Sequence, residues 1–81
     1  MNNGKDPTDL RHLIARKRAS GQLPRITSSR TWAGKGNGAP CELCELAIDA
    51  GQIEYEVEYL NGSQTTVLRF HELCYRLCSE A

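Results

Sequence analysis

The clearest pattern in the chain is a strict alternation of apolar and acidic residues over positions 53–60. Four apolar positions alternate with three glutamates: Ile53, Tyr55, Val57 and Tyr59 against Glu54, Glu56 and Glu58. Because successive side chains of a strand point to opposite faces, the segment predicts a half-buried strand with its glutamates in solvent. The turn signal Asn61-Gly62 follows, and residues 65–70 predict the returning strand of a β-hairpin.

Helical spacing appears near the N-terminus. Asp6 can cap a helix, Pro7 fits its first turn, and Gly21 is a plausible stop. A narrow stripe at helical spacing lies between them, formed by Leu10, Leu13, Ile14 and Lys17. These signals predict a helix over about 7–20 that needs another surface to pack against.

A second, shorter helix is predicted over residues 71–78. Its apolar face consists of Phe70, Cys74, Leu77 and Cys78. Residues 21–40, in contrast, contain four glycines and two prolines, which is typical of a linker. The run Gly34, Gly36, Gly38 is not interpreted as a phosphate-binding loop, because no strand precedes it, no helix follows it, and no Lys-Ser/Thr pair closes it.

The 81 residues are enough for one small α+β domain, with an N-terminal basic helix at 1–20, a linker at 21–40 and a ββα module at 41–81. No apolar run approaches the ~20 residues that a membrane span needs. The first residues carry no signal-peptide pattern, so we expect a cytoplasmic, bacterial protein with no membrane association.

The formal net charge of zero hides two oppositely charged halves. Residues 1–38 carry eight basic and two acidic side chains, a net charge of +6, whereas residues 39–81 carry a net charge of −6. This asymmetry is typical of a basic arm beside an acidic module. An equally simple interpretation is that the two halves pack together and neutralise each other.

Four side chains at short spacing form a candidate metal site. Cys41 and Cys44 form a CxxC pair, called the knuckle (residues 41–44), and His71 and Cys74 form a second pair, separated from the first by 26 residues. Thiolate and imidazole groups in two such pairs suit a tetrahedral zinc ion. Four protein ligands would leave no open coordination position, so one zinc ion would be structural.

Two alternatives to this ligand set stay open. Cys78 lies one turn beyond Cys74, so the second pair could be Cys74 and Cys78 instead of His71 and Cys74. We favour His71, because a helix N-terminus stabilises a thiolate at Cys74, whereas its C-terminus disfavours one at Cys78. Without metal, the four cysteines could form a disulfide scaffold, which a reducing compartment disfavours.

The arrangement resembles the treble-clef class of zinc fingers, in which a CxxC knuckle is followed by a β-hairpin and a helix. The wider string resembles a family of small, uncharacterised bacterial proteins: Gly21-Gln22-Leu23-Pro24, residues 31–38, Cys41-x-x-Cys44, Ile48, Glu54-Tyr55-Glu56-Val57 and Phe70-His71-x-x-Cys74-Tyr75. The resemblance implies a zinc-finger-like fold and no specific activity. The chain departs from it at Glu45, where Gly is usual, and at Cys78, where Trp is usual.

Two binding functions compete as hypotheses. The first is a regulatory protein-interaction adaptor, because small treble-clef modules without catalytic residues usually serve as binding scaffolds. The alternative is a nucleic-acid-binding protein that uses basic side chains on phosphates, namely Arg11, Arg16, Lys17, Arg18, Arg25 and Arg30. We expect no enzymatic activity and no small-molecule substrate, because no nucleophile–base pair stands out.

Overall fold

The computed structural model describes residues 6–24, 30–61 and 63–80. In chain order the elements are α1 (Pro7–Ala19), β1 (Arg30–Lys35), β2 (Ile53–Asn61), β3 (Gln64–His71) and α2 (Glu72–Glu80). The described part of the chain is therefore a small α+β structure with two helices and a three-stranded antiparallel sheet. Neither of these helices is long and apolar enough to cross a membrane.

Helix α1 begins and ends at its predicted signals. The side chain of Asp6 accepts a hydrogen bond from the N–H of Asp9 at 3.0 Å, which satisfies one free donor of the first turn. Gly21 has a φ of 81°, and this left-handed conformation turns the chain away from the helix axis. The predicted helix is confirmed, and it buries Leu10 and Ile14.

The sheet has the order β1-β2-β3, and both pairings are antiparallel. The predicted hairpin is confirmed as β2 and β3, in which Tyr55 lies opposite Phe70 and Val57 opposite Leu68. Gly62, the second residue of the predicted turn, lies outside the described residues. The central position of β2 gives the acidic strand one neighbour on each side.

Strand β1 lies within residues 21–40, which the sequence predicts to be a linker, and this part of the prediction is wrong. All six β1 residues are exposed, so β1 has no buried face and no alternating pattern that sequence reading could detect. After β1, the chain at Gly36 lies directly against the backbone of Ile48 and Asp49. Only glycine fits there, because a Cβ would overlap the carbonyl oxygens of these two residues. Leu23, also in the predicted linker, is buried in the core.

The core lies where α2 packs on β2 and β3 and where α1 packs on α2. Tyr55 of β2 stacks on Tyr75 of α2 with ring centroids 4.7 Å apart and nearly parallel planes. The buried apolar residues are Leu10, Ile14, Leu23, Cys41, Leu43, Cys44, Ile48, Val57, Leu68, Phe70, Cys74, Leu77 and Cys78. All four cysteines thus belong to the core and not to the surface.

The first two residues of β2 do not follow the prediction that its apolar side chains are buried and its glutamates lie in solvent. Ile53 is 46% exposed, whereas Glu54 is only 5% exposed. The Nε of Arg69, on β3, lies 3.3 Å from the carboxylate of Glu54 and supplies an opposite charge inside the fold. Burial nevertheless raises the pKa of Glu54, and the neighbouring Glu56 adds to that increase.

Candidate metal centre

Four buried side chains converge at the junction of the knuckle, β3 and α2. The structure brings together Cys41 and Cys44 of the knuckle, His71 at the end of β3 and Cys74 in the first turn of α2. Their ligand atoms all lie within 4.8 Å of one another. His71 is the last residue of β3 and not the first of the helix, because α2 begins at Glu72.

The knuckle is shaped by backbone hydrogen bonds that turn the chain tightly. The N–H of Glu45 donates to the carbonyl of Cys41 at 2.9 Å, and the N–H of Cys41 donates to the carbonyl of Leu46 at 2.8 Å. A β-bridge between Pro40 and Ala47 closes the loop behind them. This geometry directs the two thiol side chains into the interior.

Glu45 has a φ of 70°, in the left-handed region that favours glycine. It follows the knuckle directly, at the position where the resembled family usually has Gly. The backbone turn that glycine makes easily is therefore present here with a glutamate. Its carboxylate accepts a hydrogen bond from the Nζ of Lys17 at 2.8 Å, which ties this position to α1.

His71 presents its Nδ1 atom to the cysteines. Nδ1 lies 3.3 Å from the Sγ of Cys44, while Nε2 lies 3.1 Å from the carbonyl oxygen of Ala47. A carbonyl oxygen only accepts hydrogen bonds, so Nε2 carries the hydrogen and donates it to Ala47. The lone pair of Nδ1 then faces Cys44, which is the arrangement of a metal-binding histidine held by a backbone carbonyl.

The three thiols of the cluster influence one another's ionisation. Hydrogen bonds from Cys44 and Cys74 hold the pKa of Cys41 well below its usual range. The corresponding contact with Cys41 raises the pKa of Cys44 and of Cys74 above the usual value. One negative charge is therefore stabilised in this cluster and further ones are opposed, so a cation is needed for all three to ionise together.

The dimensions of the cluster fit a tetrahedral ion. Metal–sulfur and metal–nitrogen bonds of about 2.3 and 2.0 Å give ligand-to-ligand distances of roughly 3.5–3.8 Å. The Cys44–His71 distance of 3.3 Å lies close to that range, and the 4.8 Å limit for the whole group requires only small closure. The four side chains can hold one metal ion between them.

Cys78 is not a member of this group. It is 1% exposed, and burial raises the pKa of its thiol to about 11. Its backbone carbonyl accepts a hydrogen bond from Arg18 at 3.0 Å, which connects α2 to α1. All four cysteines are free thiols, and three of them surround His71, an arrangement that matches the metal-site interpretation and not the disulfide alternative.

The basic residues that we predicted for nucleic-acid binding do not share one surface. Lys17 is buried, and its Nζ donates to the carbonyl of Glu42 in the knuckle at 3.0 Å. Arg18 points towards α2, where it bonds to the carbonyl of Cys78. Lys17 thus connects α1 to the knuckle and Arg18 connects α1 to α2, contacts that sequence reasoning missed although Lys17 falls in the apolar stripe.

The other members of that set lie apart from each other. Arg11 and Arg16 are exposed on α1, whereas Arg30 is exposed at the start of β1, with its Nε 3.9 Å from the carboxylate of Glu58. Arg25 lies outside the described residues. The structure thus leaves two exposed arginines on α1 as candidates for contact with phosphate.

No protein-family model matches the chain, and neither the comparison with curated proteins nor that with solved structures gives a match. Functional inference therefore depends on the chemistry of the cluster and of the surfaces around it.

Proposed function

We propose that the protein is a small treble-clef-like module that holds one structural zinc ion and binds a protein partner as a non-enzymatic adaptor. The observation that carries this proposal is the buried group Cys41, Cys44, His71 and Cys74, with ligand atoms within 4.8 Å of one another. Its order along the chain, with a knuckle, a hairpin and a helix, is the order of the resembled class.

Zinc is the metal that this donor set favours. Three thiolates and one imidazole form one of the common tetrahedral sets of structural zinc sites. The ion would allow the three thiols to ionise together, and its apparent binding free energy of about 10–16 kcal/mol would be coupled to folding. A chain of this length buries too little apolar surface to be very stable alone, so such a contribution would be decisive.

A structural role follows from the number of ligands. Four protein ligands complete a tetrahedron and leave no position for water or a substrate, which is the requirement for a catalytic zinc. Burial of all four side chains further separates the ion from solutes. The proposal is accordingly a binding module and not an enzyme.

A protein partner is favoured over nucleic acid by the direction of the basic side chains. Lys17 and Arg18 are used inside the fold, where both donate hydrogen bonds to backbone carbonyl oxygens and not to a ligand. Among the described residues of α1, Arg11 and Arg16 are the arginines exposed to a nucleic acid, so the variant Arg11→Gln/Arg16→Gln tests this helix as the binding surface. Unchanged binding to DNA and RNA at low salt in this variant would exclude α1 as the nucleic-acid site.

The test of the zinc proposal is the metal content of the purified protein and its dependence on a chelator. We expect one equivalent of zinc, and we expect removal of zinc to abolish the near-ultraviolet circular dichroism of the stacked Tyr55 and Tyr75. Re-addition of zinc should restore the signal. A metal-free protein that keeps this signal would contradict the proposal.

A further inference from the structure

The two outer edges of the sheet have different surroundings. The outer edge of β3 is covered at Arg69, whose carbonyl accepts a hydrogen bond from the N–H of Glu42 in the knuckle at 2.7 Å. Strand β1 is the other edge, and among the described residues no strand pairs with it on its outer side. An edge strand carries unpaired N–H and C=O groups that can accept another strand.

The register shows which β1 residues point outwards. The N–H of Gly36 donates to the carbonyl of Gln52 at 3.0 Å, so Gly36 faces β2. Because the facing direction alternates along an antiparallel strand, Gly34 and Trp32 also face β2. The backbone groups of Ala33 and Lys35 therefore point away from the sheet, and within the described part of the chain no backbone hydrogen bond reaches them from the outer side.

The side chains of β1 give this edge a distinct character. Trp32 is 46% exposed, although indole rings are usually more buried. Arg30 and Lys35 are the charged residues of the strand, and both are exposed. Arg30 and Trp32 share one face of the strand and Lys35 lies on the opposite face, with no acidic side chain on β1.

The inner neighbour of β1 shows the kind of strand that complements it. Across the β1–β2 ladder, Arg30 lies opposite Glu58 and Trp32 opposite Glu56, whereas Lys35 lies opposite the apolar Ile53. That strand alternates glutamate with apolar residues over positions 53–59. A strand added on the outer side would meet the same β1 side chains at the same cross-strand distances of about 4.5–5.5 Å.

We propose that the outer edge of β1 binds an extended segment of a partner protein, in which acidic and apolar residues alternate, as a fourth antiparallel strand. This inference rests on the proposed adaptor function and names its binding surface and the chemistry of its partner. Backbone pairing at Ala33 and Lys35 supplies affinity, while Arg30 and Trp32 select the acidic side chains on their face of the added strand. A second copy of the chain is a poorer occupant, because its own β1 would add two cations and no anion.

The probe is a peptide with the sequence of residues 53–59, Ile-Glu-Tyr-Glu-Val-Glu-Tyr, added to the folded, metal-loaded full chain. The matched control peptide replaces its three glutamates with lysine. We expect the acidic peptide to bind about tenfold more tightly at low salt, since each cross-strand pair contributes a few tenths to 1 kcal/mol. Nuclear magnetic resonance should place the shifts at residues 31–35, with slower hydrogen exchange at the amides of Ala33 and Lys35.

A pair of variants separates backbone pairing from general attraction. Ala33→Pro removes the outward N–H, and edge strands tolerate proline at such a position. Ala33→Pro should weaken the binding of the acidic peptide at least tenfold, while the metal content and the unfolding temperature of the protein stay unchanged. Ala33→Val keeps the N–H and should bind as the parent does.

Several results would overturn the inference. These are equal binding of the lysine peptide, unchanged binding to Ala33→Pro, absence of binding at about 1 mM peptide, and shifts on α1 instead of β1. Dimerisation through β1, seen as a concentration-dependent increase in mass that Ala33→Pro abolishes, would assign the edge to a second copy. A partner protein that binds α1 would agree with the adaptor function but refute β1 as its binding site. Failure of the zinc proposal would be seen separately, as a purified protein that contains no zinc.

Discussion

The two outer edges of the sheet differ in burial: the β3 edge is covered by other parts of the fold, whereas the β1 edge is exposed. At β3 the edge is covered by the knuckle, and Cys74 of α2 completes a buried cluster of three cysteines and a histidine. At β1 every side chain is exposed and the strand is held mainly through its pairing with β2. The comparison teaches that substitutions near β3 should affect folding, whereas substitutions on β1 should affect binding.

The largest effect is expected from the metal ligands. Cys74→Ser should lose the metal and the fold, because a binding free energy of about 10–16 kcal/mol equals or exceeds the whole stability of a typical domain. His71→Ala should fail in the same way. The measurements are zinc content and circular dichroism after purification in zinc-containing buffer.

Cys78→Ser is the matched control, because it changes a buried cysteine of the same helix outside the cluster. It should keep one equivalent of zinc and lower the free energy of unfolding by only about 1–2 kcal/mol, from a buried hydroxyl. If Cys78→Ser lost zinc and His71→Ala retained it, the ligands would be Cys41, Cys44, Cys74 and Cys78.

The four side chains of the candidate metal centre form the group whose convergence the sequence predicts most directly. The two pairs can form one site if the hairpin between them brings Cys41 and Cys44 close to His71 and Cys74. The alternation over 53–60 predicts that hairpin. The element containing His71 was less predictable, because a strand that runs directly into a helix leaves no turn signal between them. The local sequence therefore indicates which side chains could bind the metal more clearly than it indicates where β3 ends and α2 begins.

The contacts of α1 and β1 were beyond sequence reasoning for physical reasons. Strand β1 is stabilised by backbone pairing, which leaves no alternating pattern of hydrophobic residues. Lys17 lies in the apolar stripe of α1, but its partners, Glu42 and Glu45, are distant in sequence. Such contacts support the interpretation in which the oppositely charged halves pack together.

The next effect is a loss of stability at alkaline pH caused by Cys78. Burial raises the pKa of this thiol to about 11 in the folded state, so the unfolded chain releases this proton at a lower pH than the folded chain does. The neutral Cys78 thiol therefore makes its full contribution to the free energy of unfolding below the unfolded pKa of 9.0. This contribution is lost as the pH rises towards about 11. The loss amounts to about 2–3 kcal/mol.

Denaturant unfolding at a series of pH values measures this slope. Cys78→Ala should remove most of the decline between pH 9.0 and about 11. An equally steep decline in the variant would assign the alkaline sensitivity to other groups.

Gly36→Ala tests the attachment of β1 to the loop beside the knuckle. A Cβ at this position would overlap the backbone oxygens of Ile48 and Asp49, so the two segments must separate. We expect a loss of about 2 kcal/mol in the free energy of unfolding and faster hydrogen exchange in β1. Gly34→Ala is the control, since a Cβ at Gly34 meets nothing within 4 Å, and it should leave both quantities almost unchanged.

Lys17→Met should release the contact between α1 and the knuckle. The buried ammonium bonds to the Glu42 carbonyl and to the Glu45 carboxylate, and the latter side chain is mostly exposed. The expected loss is about 1 kcal/mol, because the exposed partner limits the ion-pair contribution. Thermal unfolding measures it, with Arg16→Met as the control on the exposed side of α1. A loss as small as that of the control would mean that Leu10, Ile14 and the hydrogen bond from Arg18 to Cys78 hold α1 without help from Lys17.

A similarly small effect on stability, and the sharpest test of the comparison, is expected from Trp32→Ala. Its side chain is 46% exposed on a strand that buries none of its residues, so only part of the apolar surface of the indole is covered and lost on truncation. The free energy of unfolding should fall by about 1 kcal/mol, well below the loss at a fully buried aromatic residue. Phe70→Ala, which empties a fully buried position on β3, should lower it by about 3–5 kcal/mol under the same conditions. A large loss in Trp32→Ala would show that the exposed edge is part of the stabilising structure, and the division between the two edges would then be wrong.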